Sequence, residues 1–212
     1  MPSVDRLLLF SMTAAVVIAI PGPSVIFLVS RALSSGQRVA ILSVLGNALG
    51  EYVQVIAVAF GIGALVQESV VAFDTLRLAG GLYLIYLGVR TYRERRSLAA
   101  AIGAAAAPRS GRRSFAEALT VGVTNPKTII FLAAILPQFV GHDSGSVPPQ
   151  IMLLGAIFAA IAIVSDSVWV LLAARFRAWF GRSPRRLELI GGAGGLAIAA
   201  LGTGLLVTGR KN

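Results

Sequence analysis

Apolar residues fall into six long runs along the chain, separated by short polar segments. An α-helix needs ~20 apolar residues to cross the hydrocarbon core of a bilayer, and each run is about that long or longer. The runs are Leu7–Ser30, Val39–Val66, Phe73–Tyr92, Phe115–Val140, Ile151–Ala174 and Leu189–Val207. The pattern predicts an all-α polytopic membrane protein with six transmembrane helices.

Composition supports this prediction and limits the alternatives. Hydrophobic residues make up 56% of the 212 residues, charged residues only 13%, and the mean hydropathy is +0.81. These values exclude a disordered chain and an ordinary water-soluble domain. We therefore expect a single transmembrane domain over residues 1–212. The absence of cysteine excludes disulfides and thiolate metal sites.

Positive charge is concentrated in three loops. The chain has 19 Lys and Arg against 9 Asp and Glu, and most of the basic residues follow the first, third and fifth apolar runs. In a soluble protein this excess would suggest nucleic acid, but in a membrane protein it marks the cytoplasmic loops. We expect no nucleic-acid partner and both termini facing outward. The arginines between the third and fourth runs should also attract anionic lipid headgroups.

The two halves of the chain resemble each other. Ala79–Gly88 in the third run aligns with Ala193–Gly202 in the sixth at six of ten positions, and the second and fifth runs carry single acids, Glu51 and Asp166. Three spans per half is an odd number, so the repeats must be inverted in the membrane. The predicted halves cover about residues 4–92 and 115–208, joined by a basic, Ala-rich cytoplasmic linker over about 93–114. Chance similarity between glycine-rich apolar sequences is the alternative.

Prolines interrupt the first run at Pro21 and Pro23 and the fourth at Pro126. A proline inside a helix removes one backbone N–H and leaves the carbonyl four residues earlier without its partner. The carbonyls affected are those of Val17, Ala19 and Gly122. Such breaks at corresponding places in two halves indicate a binding site facing a watery cavity. A kink that only serves helix packing is the alternative.

Three ionisable residues lie deep within the predicted spans. Lys127 is at the midpoint of the fourth run, where a lysine costs at least ~2.5 kcal/mol to insert, and Glu51 and Asp166 are near the middle of theirs. Mutual pairing of these charges is the economical arrangement. Asn47, Glu51 and Gln54 share one helical face at i, i+4 and i+7. A structural ion pair that fixes helix packing is the alternative to a ligand or proton site.

Several of these segments together resemble the lysine/threonine exporter (LysE/RhtB) family. They are Pro21-Gly22-Pro23, Arg31 through Gly36 with Arg38, Gly46-x-x-x-Gly50 followed by an acid, Gly80–Arg90, Asn125-Pro126-Lys127, Leu136–Phe139 and Asp166. The resemblance implies a bacterial inner-membrane exporter of amino acids or related small metabolites, driven by the proton motive force. The chain departs from the family at Glu51, where Asp is frequent, and at Ala118, where Gly is frequent.

A zwitterionic substrate needs an anion site and a cation site a few ångströms apart. Lys127 and the free N–H groups at a half-helix start could hold the carboxylate, and Asp166 or Glu51 the ammonium. Either acid could instead take up the coupling proton; no other cofactor and no metal are expected. The candidate substrate-binding and translocation residues are Lys127, Asn125, Pro126, Asp166, Glu51, Asn47, Pro21, Gly22 and Pro23.

Two other classes of protein are weaker interpretations. A non-transporting structural or lipid-interacting membrane protein would have no reason to keep a lysine at the middle of a span. A membrane-embedded enzyme needs a nucleophile with its base or a metal cluster, and no spacing in the chain indicates either. The Gly-x-x-x-Gly pairs at Gly46 and Gly191 predict close helix packing, either within one protomer or in a homo-oligomer.

Overall fold

The computed structural model describes residues 2–62, 70–94, 96, 110–141, 145–175 and 184–207, and every regular element in them is helical. The predicted linker lies mostly outside the described residues, as does the end of the second predicted span. The α-helices are α1 (Val4–Ala19), α2 (Pro23–Ser35), α3 (Gln37–Ala57), α4 (Val70–Arg93), α5 (Gly111–Thr124), α6 (Pro126–Ile130), α7 (Val147–Arg175) and α8 (Pro184–Val207). Wider π-helical turns, Val58–Ile62 and Phe131–Ile135, follow α3 and α6, and a 3₁₀ turn, Leu136–Phe139, follows the second of them.

Three helical stretches of the described residues are long and apolar enough to cross a membrane. They are Gln37–Gly61, Gly111–Phe139 and Val147–Arg175, and α1 with α2 makes a fourth if this bent pair is one span. Helices α4 and α8 have 24 residues each but are not in this set. The all-helical prediction is therefore confirmed for the described residues, whereas the six-span arrangement stays a prediction.

Helices begin and end at the prolines that the sequence singled out. Helix α1 ends at Ala19, Ile20 is extended, and α2 begins with Pro23 as its first residue at an angle of 55°. Helix α5 ends at Thr124 and α6 begins with Pro126. Proline suits the first position of a helix because its fixed φ is helical and no N–H is needed there. Gly36, with φ of +87°, then allows the chain to reverse between α2 and α3.

Glycines bring two helix pairs into close contact. Helix α3 packs on α5 where a Cβ on Gly46 or Gly50 would run into the α5 backbone at Phe115 and Leu119. Helix α4 packs on α8 through four glycines, Gly81, Gly88, Gly195 and Gly202. Small residues let helix backbones approach closely in membranes, where no hydrophobic force drives helices together. Gly46-x-x-x-Gly50 therefore serves packing within this protomer, as does Gly195 of the second motif.

The core lies between α1, α3, α7 and the stretch after α6. Phe131 is fully buried, with its ring centroid 5.3 Å from that of Phe158 on α7 and 6.1 Å from that of Phe10 on α1. A second cluster joins α2, α3 and α7 around Leu28, Val44 and Val170. The two clusters hold the junctions α1–α2 and α5–α6 in the interior of the bundle.

Candidate functional site

Lys127, the second residue of α6, is buried at the junction between α1 and α2. Its side chain is 5% exposed, and Nζ donates to the carbonyl oxygens of Ile20 at 2.8 Å and Val17 at 3.1 Å. The carbonyl of Val17 is one of those that have no helical N–H partner because of the prolines. The ammonium group of the second broken segment therefore takes the place of backbone N–H groups missing from the first.

The predicted direct pairing of Lys127 with an acid is wrong for this structure. Among the ion pairs of the described residues, none joins Lys127 to Glu51 or Asp166. The reason is that the break between α1 and α2 presents carbonyl oxygens at the depth of the ammonium group, and carbonyls are good acceptors for it. Both carboxylates are nevertheless within Coulombic range of the lysine.

The two interrupted segments contact each other directly. Asn125 Oδ1 accepts from the backbone N–H of Lys127 at 3.1 Å and so caps α6, while its Nδ2 donates to Ser24 Oγ on α2 at 2.8 Å. A Cβ on Gly22 would lie 3.3 Å from Lys127 Nζ. A glycine at position 22 thus leaves room for the lysine side chain.

The two buried acids are held by neutral side chains. Glu51 Oε1 accepts from the hydroxyl of Thr128 at 3.2 Å, and Asp166 Oδ2 accepts from Asn47 Nδ2 at 3.3 Å. Glu51 is 5% and Asp166 4% exposed. Because Glu51 is also within Coulombic range of Asp166 and Lys127, the three ionisable groups form one electrostatic unit.

Gln54 closes the second break in the same way as Lys127 closes the first. Its Nε2 donates to the carbonyl oxygens of Gly122 at 2.6 Å and Val123 at 2.9 Å. The carbonyl of Gly122 is the one that Pro126 leaves without a helical partner. Among the described residues, its only other donor is the backbone N–H of Asn125 at 3.4 Å. A side chain from another helix therefore donates to carbonyl oxygens at each break.

Most of the predicted site residues come together, and a few do not. The buried ones are Lys127, Asn125, Asp166, Glu51, Asn47 and Gly22. Pro21 and Pro126 are half-buried, and Pro23 is exposed, so Pro23 shapes the start of α2 and does not line the interior. In the described part of the chain, no group of three or more His, Cys, Asp or Glu side chains could hold a metal ion.

Ser24, Thr128 and Gln54 belong to the buried polar cluster but were not among the predicted site residues. Ser24 directly follows Pro23, and Thr128 lies two residues after Pro126, so position relative to the prolines is a signal that could have found them. Gln54 was recognised only as part of the polar stripe on α3. We call Ser24, Asn47, Glu51, Gln54, Asn125, Lys127, Thr128 and Asp166 the central polar cluster.

An ion pair lies at the arginine-rich end of the bundle. Arg31 of α2 donates through Nη2 to Glu117 Oε2 of α5 at 2.5 Å and lies over the Phe27 ring at 4.8 Å. Arg113 binds the other oxygen of Glu117 at 3.0 Å. The ion pair thus joins α2, which follows the first break, to α5, which precedes the second, at a place away from the central polar cluster.

Apolar helices around a buried cluster of ionisable residues define a transmembrane protein with a polar site in its interior. The family model for the LysE type translocator matches residues 15–209. The chain belongs to this family, which is one of translocators rather than enzymes.

Similar proteins come from several bacteria. A homoserine/homoserine lactone efflux protein of Salmonella typhimurium is 30% identical over 201 residues, covering 95% of each chain. An uncharacterised membrane protein of Vibrio cholerae is 32% identical over 84% of each chain. A leucine efflux protein of Enterobacter sp. is 25% identical over 82% of each chain. No solved structure matches the chain.

Proposed function

We propose that this protein is a secondary transporter that exports amino acids or related small zwitterionic metabolites across the bacterial inner membrane by proton antiport. The observation that carries the proposal is the central polar cluster, where a lysine and two acids are buried beside two interrupted helices. Buried charges are costly in a membrane and are typical of substrate and ion pathways. The relatives named as efflux proteins for homoserine and leucine support the direction and the substrate class.

The architecture proposed is six spans in two inverted halves. The alignment of the halves matches Gly81 with Gly195 and Gly88 with Gly202. In the fold Gly81 lies against Gly202, and Gly88 lies against Gly195. A twofold rotation that exchanges α4 with α8 would convert one contact into the other, which is the relation that inverted repeats require. This reciprocal contact supports the repeat more directly than the alignment alone.

The substrate is proposed to bind in the central polar cluster in one orientation, with its carboxylate and its ammonium group at different residues. Lys127 and the N–H groups at the start of the broken helices attract its carboxylate, and Glu51 or Asp166 its ammonium. The two compounds in the name of the Salmonella relative share an ammonium group, but the carboxyl group is free in one and closed into a lactone in the other. The ammonium is therefore the more constant recognition element.

Coupling to protons follows from the same cluster. Burial disfavours the charged form of a carboxylate, so one acid can take up a proton as the substrate leaves. With alternating access, the amino acid would be released on the outer side of the membrane, and the proton would enter the site from that same side. The arginine-rich end would face the cytoplasm and both termini the outside, with lipid around the bundle.

Counterflow of labelled amino acids in proteoliposomes tests the proposal. We expect saturable exchange by the wild-type protein, and none by Lys127→Ala or Asp166→Asn although both variants insert normally. Thr203→Val on the exposed face of α8 serves as a control and should exchange like the wild type. Wild-type exchange by both variants would reject the proposed site. No exchange across a broad amino-acid panel would favour a structural or lipid-interacting protein.

A further inference from the structure

Three buried oxygen atoms on one face of α3 have no hydrogen-bond partner among the described residues. They are Asn47 Oδ1, Glu51 Oε2 and Gln54 Oε1. The three residues are 0%, 5% and 7% exposed, and their spacing of four and three residues stacks them along the helix. We call these three atoms the acceptor triad. Buried polar atoms are nearly always hydrogen-bonded in native proteins, so three neighbouring exceptions require an explanation.

The assignment of oxygen and nitrogen in the two amides follows from their partners. Asn47 Nδ2 faces a carboxylate oxygen of Asp166, and Gln54 Nε2 faces the two carbonyl oxygens of Gly122 and Val123. Exchanging oxygen and nitrogen in Gln54 would set its oxygen against two carbonyl oxygens, and the same exchange in Asn47 would set its oxygen against the ionised carboxylate of Asp166. The free atom of each amide is therefore its oxygen.

Glu51 completes the same pattern. Its Oε1 accepts from the Thr128 hydroxyl, which leaves Oε2 free. All members of the acceptor triad can accept hydrogen bonds, and one carries charge. The group that fits them has several donors, no acceptor and a positive charge. A primary ammonium donates hydrogen bonds and accepts none, so it matches the chemistry of these oxygens, with the charge of Glu51 at the middle of the row, whereas a carboxylate would be repelled.

We propose that the acceptor triad binds the ammonium group of the transported substrate, with Glu51 rather than Asp166 supplying the opposite charge. This rests on the proposed transport function and deepens it. Asp166 is already engaged by the Asn47 amide, whereas Glu51 keeps one carboxylate oxygen without a partner. The site therefore selects compounds with a free primary ammonium, including amino acids whose carboxyl group is masked, and rejects N-acylated amino acids.

Two analogues of leucine test separately whether the ammonium group or the carboxylate of the substrate is required for binding. L-Leucinamide keeps the ammonium and lacks the carboxylate, and N-acetyl-L-leucine keeps the carboxylate and lacks the ammonium. We expect leucinamide to raise the melting temperature of the purified protein and N-acetyl-leucine to leave it unchanged. Stabilisation by N-acetyl-leucine as large as that by leucinamide, or by neither compound, would overturn the inference. A protein that is stabilised by NaCl but not by choline chloride, and not by leucinamide, would bind Na⁺ in place of an ammonium group, and this result would also overturn the inference.

Glu51→Gln tests the acceptor triad itself. In this variant the amide oxygen can keep the Thr128 hydrogen bond while Nε2 donates to Asn47 Oδ1 or Gln54 Oε1. We expect no fall in melting temperature without ligand, and binding of leucinamide weaker by at least ~10-fold because a charge-assisted hydrogen bond is lost. A purely structural Glu51 would instead give a lower melting temperature and unchanged leucinamide binding.

Asn47→Leu and Ser114→Ala form a matched pair. Both residues are fully buried with an unpartnered oxygen, but Ser114 lies near the arginine-rich start of α5. Asn47→Leu should weaken leucinamide binding by ~10-fold, and Ser114→Ala should not change it. Equal binding by both variants would overturn the inference. Because these readouts need no flux, leucinamide binding without counterflow would reject transport while keeping the ammonium site.

Discussion

The ammonium group of Lys127 lies 2.8 Å from the backbone carbonyl oxygen of Ile20, the first residue after α1. A side chain from the second half of the chain thereby replaces backbone donors that the first half lacks. The relationship makes the lysine both a structural partner of the break and a positive charge at the site. These two roles can be separated by substitution.

Lys127→Met should lower the free energy of unfolding by about 1–3 kcal/mol. It leaves the carbonyl oxygens of Val17 and Ile20 unpaired, and this cost exceeds the relief from no longer burying a charge. Unfolding in mixed micelles measures the effect. Thr120→Val, which removes an exposed hydroxyl bonded only within its own helix, should change stability by less than about 0.5 kcal/mol. A fully stable Lys127→Met would show that the carbonyls do not depend on the lysine.

Gln54→Leu should destabilise the protein by about 1–3 kcal/mol because it removes the donor shared by the carbonyls of Gly122 and Val123. Gln138→Leu is the matched control, since Gln138 is exposed and its amide donates only to Ala134 in its own turn. The same unfolding assay compares the two variants. Equal losses of stability would contradict the role given to Gln54.

Gly202→Ala should destabilise the contact between α4 and α8 by about 1–3 kcal/mol. Its Cβ would lie 2.6 Å from the carbonyl oxygen of Gly81, so the helices must separate. Gly204→Ala, two residues further along the same helix, meets nothing within 4 Å and should be neutral or stabilising by up to ~1 kcal/mol. Unfolding midpoints that rank the two variants in the opposite order would reject this packing.

The Arg31–Glu117 ion pair should show a coupling energy of about 1–3 kcal/mol in a double-mutant cycle built from Arg31→Gln and Glu117→Gln. The arginine side chain is 10% exposed and the glutamate 31%, so solvent screens the pair only in part. The exposed pair Arg90–Glu94 is the control and should couple by no more than about 0.5 kcal/mol. Similar coupling in both pairs would mean that burial adds nothing.

Single cysteines test the orientation, because the chain has none of its own. Ser146→Cys, in the loop before α7, should react with a membrane-impermeant maleimide in intact spheroplasts. Ser110→Cys, inside the predicted basic linker, should react only after the membrane is opened, since positive loops stay in the cytoplasm. The reverse labelling pattern would place the termini inside.

Local geometry explains why some site residues could be found in the sequence and others could not. Lys127, Glu51 and Asp166 stand out because a charge in an apolar run is costly wherever the helix lies. Ser24 and Thr128 do not, because a hydroxyl in a helix can bond to its own backbone. Ser11 does so with the carbonyl of Leu7, four residues earlier. The position of Ser24 and Thr128 just after the prolines is a sequence signal, but only the packing of neighbouring helices decides that their partners are Asn125 and Glu51.

The amino-acid sequence specifies the apolar helices and the two breaks at which prolines leave carbonyls without a helical partner, because a helical hydrogen bond spans only four residues. The packing of the helices specifies which side chains donate to those carbonyls. Lys127 reaches Val17 across 110 residues of sequence, and Gln54 reaches Gly122 across 68. It also separated the charges that were expected to pair. An ammonium group takes whichever acceptors the packed helices bring within reach, and the broken backbone was nearer than either acid.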